Sequence, residues 1–154
     1  MNIEVAYQKA EIAVAIEKKS VTMEDISTVT TEGLGRVFQF LADQNIQMAG
    51  APYLVYKNGN ADFTQFDVEM GIPVLEEAAV SGEFFMSKTC EGKAVCGTHK
   101  GAYKDIEPLY MAMMQYIAEN SLESTGLYYE FYINDPADTP ESELLTSVVF
   151  PVKE

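Results

Sequence analysis

The chain carries one pattern of predicted elements twice, and this duplication constrains the fold more than any other feature of the sequence. The segment AVAIEKKS at 13–20 aligns with AVCGTHKG at 94–101, and a short strand-like run precedes each. A helical pattern follows each segment, and two strand-like runs follow each helix. Both halves close on Pro-Val, at 73–74 and 151–152. Each half therefore predicts the element order ββαββ.

The predicted helices occupy corresponding places in the two halves. Apolar residues recur at helical spacing, namely Leu34, Val37, Phe38 and Leu41 in the first half and Ile106, Leu109, Tyr110, Met113 and Ile117 in the second. Thr30 and Thr31 are candidate caps for the first helix, and Pro108 lies within the first turn of the second. The turn residues Asn58-Gly59 and Asn134-Asp135-Pro136 then separate the two later strands of each half.

We expect a single α+β domain over residues 1–154, with repeat 1 at about 1–75 and repeat 2 at about 83–154. The pattern predicts a pseudo-symmetric tandem repeat with two antiparallel sheets, each carrying one helix. A ligand cleft is expected between the repeats, because the junction of two docked units is a preferred place for one.

The charge balance limits the partners that we expect. The formal net charge is −14, so the surface repels a phosphate backbone and direct nucleic-acid binding is not expected. No apolar run is long enough for a membrane helix and no secretory signal is present, so a cytoplasmic protein without a membrane partner is expected. An acidic surface suits cationic small molecules or a basic protein partner.

The few cysteines and histidines do not favour a metal or another cofactor. If Glu91-Gly92 is a hairpin turn, Cys90 and Cys96 are not cross-strand partners, and reduced thiols are expected. Two cysteines with the single His99 do not supply four zinc ligands.

One carboxylate stands inside an aromatic strand, YYEFYINDP at 128–136. Alternation places Glu130 on one face with Tyr128 and Tyr132. The other face, carrying Tyr129, Phe131 and Ile133, looks like core beneath the helix. When Asn58 is aligned with Asn134, the position equivalent to Glu130 is Leu54, and that equivalent to Tyr132 is Tyr56.

Two interpretations of the Glu130 face remain open. The carboxylate either points into solvent, as is usual on an open antiparallel sheet, or it lies half-buried among aromatic rings, where it would attract an organic cation. Glu69 is a second acid found in one half only, and solvent exposure is the expected fate of its strand face. Met113 either fills the core or forms a deformable pocket wall, and exposed Met111 and Met114 fit a cleft or a homodimer contact.

Several of these segments, HKGAY, YYEFYINDP, TPESELLTSVVFPV and FDVEMGIPV, resemble the gyrase-inhibitor-like (GyrI-like) domain. This module is also the effector-binding domain of AraC-type and MerR-type transcription regulators, and the resemblance spans nearly the whole chain. It implies tandem ββαββ units that bind bulky, often cationic drugs in a central cleft, with Glu130 as counter-charge beside Tyr132. Because no helix-turn-helix precedes the first strand, a stand-alone module is expected.

The resemblance implies three classes of function. The first is a multidrug-like binding protein that sequesters bulky apolar or cationic compounds, with a ligand site made of Glu130, Tyr128, Tyr132, Tyr56, Glu69 and Met113. The second is a hydrolase of strained, cyclopropane-type natural products, with Glu130 as general base and Tyr128 or Tyr132 as proton donor. The third is an acidic interaction module such as a gyrase inhibitor. The chain has no tryptophan, so a function that relies on an indole is not expected.

Overall fold

The computed structural model describes residues 2–154, which form eight strands and two α-helices. The strands are β1 (Glu4–Gln8), β2 (Ile12–Thr22), β3 (Tyr53–Lys57), β4 (Gln65–Pro73), β5 (Phe85–Lys88), β6 (Gly92–Lys100), β7 (Tyr128–Tyr132) and β8 (Leu145–Pro151). The helices are α1 (Ile26–Asp43) and α2 (Glu107–Glu119), and short 3₁₀ turns occupy Tyr103–Asp105 and Glu141–Glu143. The prediction of an α+β fold is confirmed.

All eight strands belong to one antiparallel sheet, in the order β1-β6-β8-β7-β3-β4-β2-β5. The prediction of two separate sheets is therefore wrong. β3 pairs with β7 and joins the two halves, while β1 pairs with β6 and β5 with β2, so each half gives its first strand to the other. Pairing β3 with β7 satisfies backbone groups that two separate sheets would leave at exposed edges. The predicted Glu91-Gly92 hairpin is also wrong, because β5 and β6 do not pair with each other.

The two helices pack against the flanks of one sheet face. α1 contacts β2 and β4, and α2 contacts β6, so the central strands β3 and β7 lie between them. α1 begins at Ile26, directly after Asp25 and several residues before the predicted caps Thr30 and Thr31. Thr30 lies buried within the helix. Asp25 occupies the N-cap position, and its side chain makes no capping hydrogen bond.

Both faces of the central strands are buried. Leu54 and Tyr128 on the helix-bearing face are 0% and 9% exposed, and Tyr53 and Tyr129 on the opposite face are 0% and 6% exposed. The helices cover the face that carries Glu130, so the prediction that the Tyr129 face lies beneath a helix is wrong. Alternation separates two faces, but it does not indicate which one carries the helices when both are apolar.

Neither helix of the described chain combines the length and the apolar composition needed to cross a membrane.

Candidate functional site

A cleft of about 1160 Å³ opens between α1 and α2 above the two central strands. Its floor contains four of the residues that the sequence singled out, Tyr56 from β3 and Tyr128, Glu130 and Tyr132 from β7. They come together because β3 and β7 are direct neighbours, with Tyr56 opposite Tyr128. The cleft is large enough for a drug-sized molecule.

The walls of the cleft expose an unusual amount of apolar side chain. Of the nine large hydrophobic side chains that are exposed in the described range, six line this cleft: Met23, Phe38, Phe63, Tyr103, Met114 and Ile133. Because apolar side chains gathered at one concavity indicate a binding surface, this distribution favours an apolar ligand.

Glu130 is buried at the floor of the cleft, with 7% of its surface exposed. Tyr132 donates a hydrogen bond to Oε1 at 2.9 Å, and Tyr110 of α2 donates one to Oε2. Sequence reasoning assigned no site role to Tyr110. The available signal was a phenol on the apolar stripe of a helix, because a buried tyrosine hydroxyl usually has a polar partner.

Burial raises the pKa of the Glu130 carboxyl, and the hydrogen bonds from Tyr110, Tyr132 and Tyr56 oppose that rise only in part. Burial, together with the neighbouring carboxylate, also raises the pKa of Tyr110 and Tyr132 well above the ordinary phenol value. Both phenols therefore stay protonated and act as hydrogen-bond donors. The floor of the cleft is a carboxylate held by neutral donors in apolar surroundings.

The fold contains a second buried acid, Glu69, which is 4% exposed and lies on the opposite face of the sheet. Its Oε1 is 2.8 Å from Nζ of Lys57, and its Oε2 accepts hydrogen bonds of 2.7 Å from Tyr53 and Ser87. The expectation that Glu69 is exposed to solvent is wrong. Glu69 does not line the cleft.

The two buried acids differ in how their charge is balanced. Glu69 has an ammonium partner in Lys57, whereas no lysine or arginine of the described chain forms an ion pair with Glu130. Among the influences on the pKa of Glu130, the charge of His99 lowers it less than the phenol hydrogen bonds do. A buried carboxylate without a cation costs free energy unless a partner is supplied. When Glu130 is ionised, it is therefore a negative charge at the floor of the cleft without an ion-pair partner in the described chain.

Met113, also a predicted site residue, lies in the core rather than in the cleft. It is 0% exposed, and its Sδ packs close to Gly97 of β6, where a Cβ would approach it to 3.2 Å. Its helical neighbour Met114 lines the cleft instead. Met113 therefore fixes α2 on the sheet.

Cys90 and Cys96 are both free, and burial raises the pKa of each thiol to about 11. Across residues 2–154, no cluster of three or more potential metal ligands occurs. At the floor of the cleft the ionisable groups are Glu130 and the phenols around it.

The sequence matches the profile of the family described as the GyrI-like small molecule binding domain over residues 1–153. No curated protein matches the chain.

Solved structures with the same fold include two of EcmrR. The EcmrR–DNA complex superposes with a TM-score of 0.87 at 19% identity, covering 99% of this chain and 57% of the EcmrR chain. The EcmrR C-terminal domain gives a TM-score of 0.84 at 18% identity, with 99% and 98% of the two chains covered. The chain thus spans little more than half of the EcmrR chain in the complex.

SAV2435, solved bound to tetraphenylphosphonium, has a TM-score of 0.67 at 16% identity, covering 99% of this chain and 94% of that one. At these identities the likenesses show the fold alone.

Proposed function

The chain belongs to the family of GyrI-like small-molecule-binding domains, and from this premise we propose that it binds bulky apolar cations in the cleft between α1 and α2, with Glu130 as the counter-charge. The observation that carries the proposal is the buried carboxylate on the floor of an apolar cleft, which has hydrogen-bond donors but no ion-pair partner in the described chain. A cation that enters the cleft balances this charge and buries its own apolar surface at the same time.

Aromatic rings around Glu130 add a further attraction for a cation. Tyr128 and Tyr132 flank the carboxylate on its own strand, and Tyr56 stands opposite Tyr128. Ring faces attract cations electrostatically, more strongly when water is excluded. A neighbour of the same fold, SAV2435, is described in complex with tetraphenylphosphonium, an apolar cation of the class proposed here.

A thermal-shift comparison tests the proposal. Tetraphenylphosphonium and triphenylphosphine oxide both present phenyl rings on phosphorus, but only the first carries a net charge. A ligand that binds the folded state stabilises it by about 2.7 kcal/mol at a hundred times its Kd, so the cation should raise the melting temperature by several degrees. A shift with the oxide alone, or none with a panel of aromatic cations, would contradict the proposal.

Hydrolysis of a strained electrophile is a second candidate, favoured by the raised pKa of Glu130 and by the phenols on its two oxygens. A carboxylate of raised pKa is a stronger base for water, and this candidate assigns the proton donor's role to Tyr132. Incubation with a cyclopropane-containing electrophile followed by mass spectrometry would show a product heavier by one water. Intact compound after long incubation would leave sequestration as the function for that compound.

A further inference from the structure

The two ends of the cleft differ in chemistry. β3 and β7 run antiparallel, with Tyr56 opposite Tyr128 at one end and Tyr53 opposite Phe131 toward the other. The β3–β4 turn therefore lies at the Tyr128 end, and the loop after β7 lies at the Tyr132 end. α1 starts at the Tyr128 end, because the Met23 amide donates to the Thr64 carbonyl at 2.9 Å.

The end of the cleft beside Tyr128 is apolar, and we call Met23, Ile26, Phe63 and Phe66 the aromatic end. The ring of Phe63 stacks on Phe66 with centroids 6.2 Å apart, and Phe66 meets the edge of Tyr56 at 5.1 Å. A continuous run of rings thus leads from the floor of the cleft to its rim. None of these residues carries a charge.

Phe63 is held in an unfavourable position at that rim. Its φ of 56° lies in the left-handed region, which bulky residues rarely adopt, and its side chain is 56% exposed. The turn enforces this geometry, because Asn60 Oδ1 accepts the amide protons of Thr64 at 2.9 Å and of Gln65 at 3.0 Å. An aromatic ring held in water by a strained backbone adds little to the stability of the fold. Strained backbone conformations cluster at sites that contact ligands. The ring is therefore placed to contact a ligand.

The opposite end is polar, and we call Tyr103, Lys104, Glu107, Asn134 and Asp135 the polar end. The rings of Tyr103 and Tyr132 pack edge to face with centroids 5.4 Å apart, and the Gly101 amide donates to the Leu144 carbonyl at 2.8 Å. These contacts place the segment before α2 at this end. Two carboxylates and one ammonium leave this end acidic. An apolar arm of a ligand would lose more by lying here than at the aromatic end.

We propose that the cleft selects amphiphilic monocations: the cationic head lies at Glu130 and a single apolar arm runs along β7 past Tyr128 to the Phe63–Phe66 pair. This inference rests on the proposed function and specifies the ligand class. A compact cation can still bind at Glu130, whereas a ligand with one long apolar arm, such as an alkylpyridinium, also reaches the aromatic end. Each methylene added to the arm is then transferred from water into contact with Tyr128, Phe66 or Phe63.

Titration calorimetry with n-alkylpyridinium ions from butyl to octyl tests the orientation, because the head is constant and only the arm changes. In the wild-type protein the affinity should rise by about fourfold for each buried methylene. Phe63→Ala should flatten this rise for the longer chains and leave the butyl compound little changed. Ile133→Ala is the matched control, because Ile133 lines the cleft beside Tyr132 and is 53% exposed, close to the 56% of Phe63.

The possible results separate this inference from its premise. A rise that Phe63→Ala flattens and Ile133→Ala preserves supports the proposed orientation. Binding without a chain-length dependence, or a dependence lost in Ile133→Ala alone, overturns the orientation and leaves cation binding intact. If no pyridinium binds the wild-type protein but tetraphenylphosphonium does, this inference is wrong and the proposed function stands. If neither binds, both are wrong. Both variants change exposed side chains, so their melting temperatures should remain near that of the wild type.

Discussion

Leu54 and Glu130 face each other as a direct cross-strand pair where β3 meets β7. They occupy equivalent positions in the two repeats, so a residue of the first repeat pairs across the strands with the equivalent residue of the second. Two glutamates here would place like charges about 5 Å apart, which destabilises a sheet, and two leucines would leave the cleft floor without charge. The Leu54–Glu130 combination keeps one buried carboxylate and avoids the repulsion. It gives a physical reason for the difference between the halves.

Replacing Glu130 by Gln should weaken the binding of aromatic cations by roughly tenfold to a hundredfold, the usual worth of a hydrogen-bonded charge, and should change neutral analogues much less. Glu69→Gln is the matched control. It removes the same charge from the opposite face of the sheet, where Lys57 already balances it. Calorimetry on both variants checks the prediction, and an equal loss for cations and neutral compounds would remove the counter-charge role of Glu130.

Cation binding should weaken as the pH falls. The pKa of Glu130 is raised above 4.5 mainly by burial, so protonation removes the counter-charge at a pH above the usual range for glutamate. A permanently charged pyridinium has no titration of its own, so its Kd should rise through that window, and Glu130→Gln should make the Kd independent of pH there. The charge of His99 also acts on the pKa of Glu130, so His99→Asn separates its effect. A pH dependence that survives in Glu130→Gln would assign the titration to another group.

The phenols on Glu130 should set the position of that pH dependence. Tyr110→Phe and Tyr132→Phe each remove a hydroxyl that favours the carboxylate form, so each should raise the pH at which cation binding is lost. Tyr128→Phe is the control, since Tyr128 lines the same cleft and makes no side-chain hydrogen bond to Glu130 within the described chain. The midpoint of binding against pH measures the effect. Equal midpoints in all three variants would show that the phenols only fill space.

The sequence predicted those parts of the site that depend on residues close together in the chain, and it missed those that depend on contacts between separate elements. Alternation along β7 placed Tyr128, Glu130 and Tyr132 on one face, and a period of two depends only on neighbouring residues. The fate of Glu69 depended also on Ser87 of β5, which pairs with β2, and pairing between distant segments leaves no trace in either strand alone. For the same reason the union of two sheets into one was not visible in the sequence. The contact between Glu130 and Tyr110 required the packing of α2 on the sheet.

The two buried acids should respond in opposite ways when they are neutralised in the absence of ligand. Glu130→Gln should raise the free energy of unfolding by about 1 kcal/mol at neutral pH, because it removes an uncompensated buried charge while an amide can still pair with the phenols. Glu69→Gln should lower it by about 2 kcal/mol, because Lys57 and Tyr53 lose a charged acceptor. Urea denaturation of the two variants measures both changes.

The gain in Glu130→Gln should also depend on pH in a defined direction. Since the pKa of Glu130 is higher in the folded protein than its ordinary 4.5, the folded wild-type protein binds the proton more tightly than the unfolded chain. The wild type therefore loses stability as the pH rises through the folded-state pKa, and the variant has no such loss. The difference in unfolding free energy between them should be largest above that pKa and should shrink as the pH falls toward 4.5. A difference that is constant with pH would mean that Glu130 acts on stability through packing. A Glu130→Gln protein that is less stable than the wild type would mean that the fold fully compensates the charge of the Glu130 carboxylate.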